Sequence, residues 1–166
     1  MVITFQKIAI ITLSALSLFF LPLAHAQSVR ECGQGDLKVG QKNVGKASYF
    51  AQNCQSTWKN QDIRMDFAYT QNIPEWAFKK AATHFLKRNV KQANTLKQLD
   101  QITQLYQPVR SGDIYSLSYT HTTQTLTLSL NQKILGKVQY MNANDYFNIW
   151  LGSSSFSDTL KKQLLD

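Results

Sequence analysis

Four tyrosines are the residues of this sequence best placed to do chemistry. Tyr49, Tyr69, Tyr115 and Tyr119 fall in strand-like runs, where each can pack its ring on a sheet and offer its hydroxyl to a bound carboxylate. The same placement serves plain core packing, the commoner use of a tyrosine on a strand. Groups suited to turnover are scarce. His84 and His121 have no nucleophile or carboxylate at a catalytic spacing, and His25 belongs to the apolar N-terminal segment. His84 lies between the apolar and basic faces of a helical stretch, and His121 sits in a threonine-rich turn without metal-ligand spacing. There is no phosphate-binding glycine loop, dinucleotide glycine pattern or nucleophile elbow. Metal and cofactor chemistry therefore have no foothold.

The two cysteines point to a structural role. Lys7, the uncharged apolar residues 8–21 and the small-x-small motif Ala24-His25-Ala26 form the pattern of a secretory signal peptide cleaved before Gln27. The apolar run is shorter than the roughly 18 residues a membrane span needs. The expected organisation is a signal peptide over residues 1–26 and one domain over residues 27–166, periplasmic or secreted. Thiols delivered to an oxidising compartment pair. Strand-like runs at 37–41 and 44–51 meet at Lys42-Asn43, and a hairpin centred on Asn43 sets Cys32 opposite Cys54, within reach of a disulfide.

Charge narrows the partners. The chain carries 18 Lys and Arg against 10 Asp and Glu, a net +8 that becomes +7 once Lys7 is removed. With 43% hydrophobic and 17% charged residues it is neither disordered nor low-complexity. Lys79, Lys80, Lys87, Arg88, Lys91 and Lys97 occur with no acidic residue between Glu75 and Asp100. Such a stretch is a solvated helix face, or a surface for anionic lipid headgroups or an acidic protein partner. Nucleic acid is disfavoured, because the chain is exported and its interleaved aromatics face the core rather than forming a stacking platform.

The elements that must position these residues read as follows. Ile63, Met65, Phe67 and Tyr69 alternate with more polar residues, the period of a strand with one buried face. Asn72, Pro74 and Glu75 announce a helix whose apolar stripe is Phe78, Ala81, Ala82, Phe85 and Leu86. A second helix opens on a capping box at Thr95-Leu96-Lys97-Gln98, carries Leu99, Ile102 and Tyr106 inward, and is closed by Pro108. After a turn at Ser111-Gly112-Asp113 come three strands, around Tyr115-Leu117-Tyr119, Leu126-Leu128-Leu130 and residues 134–138. Tyr146, Phe147, Trp150 and Leu151 share one face of a helix stopped by Gly152, and a last helix capped by Ser155 carries Phe156, Leu160 and Leu164. This order specifies an α+β fold, an antiparallel sheet with helices on one face. The other face is either solvated or covered by the first hairpin, leaving a cleft.

Several of these segments resemble the chalcone isomerase-like proteins, and their secreted bacterial branch in particular. The likeness is carried by Gly33-Gln34-Gly35, Ala47-Ser48-Tyr49-Phe50, Pro108-Val109-Arg110-Ser111-Gly112-Asp113 and, most specifically, Tyr146-Phe147-Asn148-Ile149-Trp150-Leu151-Gly152 with the Leu-Leu end. It implies an open-faced β-sandwich, a large antiparallel sheet with a helical layer against it. The isomerases of this family polarise an anionic phenol with an arginine and assist with a threonine. Aligned on the glycine pair, those positions are Leu37 and Gly45 here, and the neighbouring Lys38 points to the opposite strand face. The resemblance thus implies a non-catalytic member that binds a fatty acid or similar apolar carboxylate, with Lys38 or the strand tyrosines at the head group. An isomerase or lyase with a rearranged site and an interaction module using the basic first helix are the alternatives it leaves.

Overall fold

The computed structural model describes residues 28–166, so the expected signal peptide and its cleavage site lie outside the described residues. Six strands succeed one another, β1 (Arg30–Val39), β2 (Lys42–Ala51), β3 (Ile63–Tyr69), β4 (Ile114–Thr120), β5 (Thr125–Leu130) and β6 (Lys133–Gln139). Each pairs antiparallel with the next, giving one sheet in the order of the sequence. Between β3 and β4 run the helices α1 (Glu75–Asn89) and α2 (Ala93–Thr103). After β6 a 3-10 turn leads into the short α3 (Asn148–Leu151), and α4 (Asp158–Leu165) closes the chain. The fold is α+β, as the alternation of strand and helix periods implies.

Strand register explains why one face carries the core. Gly35, Ala47, Phe67 and Tyr115 stand in one row across the sheet, and Gly33, Tyr49, Met65 and Leu117 in the next. Both rows face the helices and are buried or nearly so. The alternate positions are polar: Ser48, Asp66, Ser116 and Ser129 form a row on the opposite face. On that face Arg64 lies over the Phe50 ring at 4.1 Å, with its Nε 3.1 Å from Asp66 Oδ2. The first hairpin is therefore part of the sheet and covers nothing, and the second face meets solvent.

The helical layer is held where side chains make room for it. A Cβ on Gly33 would stand 2.6 Å from the carbonyl oxygens of Gln163 and Leu164, and one on Gly35 would stand 2.8 Å from Leu160 Cδ1. Both glycines let α4 lie flat on the edge strand, burying Leu160 and Leu164.

Local details depart from the sequence reading. The first hairpin turns at Gly40-Gln41, where Gly40 takes φ +60°, and not at Lys42-Asn43. The register shifts with it, so Cys54 lies beyond the end of β2 instead of across from Cys32. The disulfide Cys32–Cys54 still forms, with Cα atoms 5.3 Å apart. A bulge between Glu31 and Gly33 releases Cys32 from the ladder, and the loop after β2 brings Cys54 to it. Helix starts shift too. Pro74 occupies the N-cap of α1, while Asn72 Oδ1 accepts a hydrogen bond from the Ser111 amide at 3.2 Å. Helix α2 starts two residues before Thr95, which is buried within it, and α4 is capped by Ser157, not Ser155.

Candidate ligand-binding pocket

A pocket of about 180 Å³ opens between the β1–β2 end of the sheet and helix α1. Its sheet side is Leu37, Val39, Val44, Phe67 and Tyr69. Across from them stand Ala77, Phe78, Ala81 and Ala82 of α1, while Ile149 and Trp150 of α3 close one flank. The space exists because small residues meet there. Ala77 and Ala81 recur at helical spacing on the wall of α1, and β2 carries Gly45 between Leu37 and Tyr69, so no large side chain reaches across. Val39 is 58% exposed and marks where the lining meets solvent.

One end of the pocket is aromatic. Phe78 stacks on Tyr106 with centroids 5.3 Å apart and meets the Tyr69 ring edge-on at 5.5 Å. On the flank, Phe67 and Trp150 stand 4.6 Å apart. Behind this wall the phenols continue inward: Tyr106 neighbours Tyr146, whose hydroxyl is 3.0 Å from Thr103 Oγ1. Burial holds the Tyr69, Tyr106 and Tyr146 phenols well above their ordinary range, so all three remain neutral hydrogen-bonding groups. Every residue that lines the pocket is uncharged. The lining can take up an apolar chain or ring and offer it a phenolic hydroxyl.

The residues singled out from sequence are not brought together. Tyr69 is 7% exposed, lines the pocket, and has no side-chain hydrogen bond among the described residues. Tyr49 lies two rows from Tyr69, against Gly33 and Met65, its phenol pushed up to about 12 by burial. Tyr115 packs behind Tyr69 and Tyr106, and its hydroxyl is engaged with the backbone of Gln107. Tyr119 belongs to the far end of the sheet, opposite Ile63 and beside the His121 ring. Lys38 stands between two lining residues but is itself outside the lining; its side chain is 55% exposed, with Nζ 3.9 Å from Asp36 Oδ2. His84 is exposed on α1.

Sequence reasoning missed Tyr106, Val39, Ala77 and Phe156 as lining residues. The usable signal was Leu37, an apolar residue at the position where the resemblance puts a cation. Among the described residues there is no group of His, Cys, Asp and Glu able to hold a metal ion, and no helix long and apolar enough to cross a membrane.

Comparison with known proteins bears on this geometry. A family model described as chalcone isomerase-like matches residues 46–166, from β2 to the end of the chain. No curated protein matches in sequence. Among solved structures, the fold is similar to that of a fatty-acid binding protein of Arabidopsis thaliana. The TM-score is 0.64 and the identity 13%, over 87% of this chain and 90% of that one.

Proposed function

The chain belongs to the chalcone isomerase-like family, and from that premise we propose that it is a non-catalytic protein that binds a fatty acid or similar apolar carboxylate between sheet and helices. The observation that carries this reading is an apolar pocket lined by uncharged residues and walled by alanines on one side. An ionised carboxylate placed inside would lose its hydration without a compensating cation. The tail therefore enters and the head group stays at the mouth, beside the exposed Val39. Each buried methylene contributes about 0.8 kcal/mol. The pocket is on the scale of an apolar cavity of roughly 150 Å³ that accepts benzene, so it seats the end of a chain while the remainder lies along the opening. Tyr69 supplies a hydroxyl to any polar atom that reaches the inner wall. The fold shared with a protein named for fatty-acid binding supports the reading.

The disulfide fits a compartment outside the cytosol. With the signal-peptide pattern over residues 1–26, the proposed location is the periplasm or the exterior after cleavage between Ala26 and Gln27.

Calorimetric titration of the delipidated protein with fatty acids of increasing chain length tests the function. Saturable one-to-one binding that tightens with chain length is expected, as is its loss in Ala81→Phe, whose ring fills the space. Absence of binding at every length, or equal binding by Ala81→Phe, overturns the reading.

A further inference from the structure

We propose that the face around the mouth of this pocket docks on an anionic lipid bilayer. Two exposed apolar side chains flank the opening. Val39 is part of the lining, and Trp76, 65% exposed, precedes the lining residue Ala77 on α1. A buried partner would normally cover a tryptophan this exposed; a bilayer surface suits one, because the indole ring settles at headgroup level.

Cations accompany both. Lys42 is the ladder partner of Val39 at the tip of the first hairpin. On α1, Trp76, Lys80, His84 and Arg88 recur every four residues, all four exposed, along the border of the wall formed by Ala77 and Ala81. Lys42, Lys80 and Arg88 enter no ion pair among the described residues, whereas the nearby acids are engaged, Glu75 with Lys79 and Asp36 with Lys38. An apolar tip, an interfacial tryptophan and unpaired cations on one rim are the elements of a surface that lies on negatively charged headgroups. Bilayer docking would present the opening directly to lipid tails. The surface is tested with lipid alone, so the outcome does not depend on ligand capture.

Vesicles of phosphatidylcholine, alone or mixed equally with phosphatidylglycerol, provide the test. The protein is expected to sediment with the mixed vesicles only, with a blue-shifted tryptophan emission that brominated lipid quenches. The shift should vanish in Trp76→Phe, since Trp58 and Trp150 are buried. Combined Lys42→Glu, Lys80→Glu and Arg88→Glu should reduce partitioning by at least about a hundredfold while leaving fatty-acid titration and thermal melting unchanged. Ala81→Phe should show the reverse pattern, docking without fatty-acid uptake. Equal binding to both vesicle types, or no binding to either, overturns the proposal. So does competition by polyglutamate without quenching by brominated lipid, which would assign the face to an acidic protein.

Discussion

The Tyr115 hydroxyl holds the backbone of Gln107 at both its polar groups, accepting from its N–H at 2.7 Å and donating to its carbonyl at 2.8 Å. A strand residue thereby fixes an irregular segment whose preceding residue, Tyr106, forms part of the pocket wall. Tyr115→Phe keeps the ring packed edge-on among Tyr69, Phe78 and Tyr106 but leaves two backbone groups without their partner. The expected cost is about 1–3 kcal/mol in denaturant unfolding. Fatty-acid affinity should fall as well, because Tyr106 loses its anchor. A variant of unchanged stability would show that water replaces the hydroxyl at no cost.

Closing a 22-residue separation, the Cys32–Cys54 disulfide restricts the unfolded chain and ties the loop after β2 to the edge strand. A loop of that length corresponds to about 3 kcal/mol of stabilisation. Reduction, or Cys32→Ser with Cys54→Ser, should lower the denaturation midpoint accordingly and leave ligand affinity intact, since neither cysteine lines the pocket. Thiol titration of the unreduced protein should find none. Two titratable thiols would contradict the pairing.

The architecture was readable because the sheet is a meander of strongly alternating strands. Ile63, Met65, Phe67 and Tyr69 announce β3 and its buried face without reference to any other element. Positions decided by distant neighbours were not readable. Asn43 looks like a turn residue, yet its side chain accepts from the Gly45 amide within β2 while Gly40 makes the turn. Asn72 has the form of a helix cap, but the Ser111 amide, 39 residues on, takes its oxygen. The Cys32–Cys54 pairing is legible only through a hairpin register that the bulge at Cys32 alters. The pocket is the furthest from sequence: Ala81 and Ala82 are ordinary stripe residues until Gly45 and Leu37 are known to lie across from them. Likewise, nothing local tells that Tyr69 faces open space while Tyr115 is tied to a loop.

Helix α4 depends on the absence of a single carbon. Gly33→Ala sets a methyl group 2.6 Å from two backbone carbonyl oxygens of α4, which no rotamer change can relieve. The helix must lift, at an expected cost of about 1–3 kcal/mol. Hydrogen exchange should accelerate in residues 158–165, and the Phe156 wall of the pocket should loosen with them. Gly40→Ala serves as the comparison, since open space surrounds that glycine and only its positive φ opposes the change. It should leave exchange in α4 unaltered.

Buried phenols set the alkaline limit of the fold. Burial raises Tyr49 to about 12, and the Tyr69, Tyr106 and Tyr146 phenols are also shifted upward by burial. In the unfolded chain each ionises near its ordinary value of about 10. A group whose folded pKa lies above its unfolded one gives its full stabilisation below the unfolded value, and loses it as pH rises toward the folded value. Stability should therefore be flat up to about pH 10 and fall steeply above it, where the unfolded state sheds protons that the native state retains. Phenolate absorbance for these tyrosines should appear together with loss of the near-ultraviolet circular dichroism, in one cooperative step. Tyr146→Phe, which removes a phenol from the deepest part of the core, should make that fall shallower even if it lowers stability at neutral pH by leaving the Thr103 hydroxyl only the Leu99 carbonyl as a partner. Gradual phenolate formation in a protein whose circular dichroism persists would mean that these hydroxyls reach solvent in the native state.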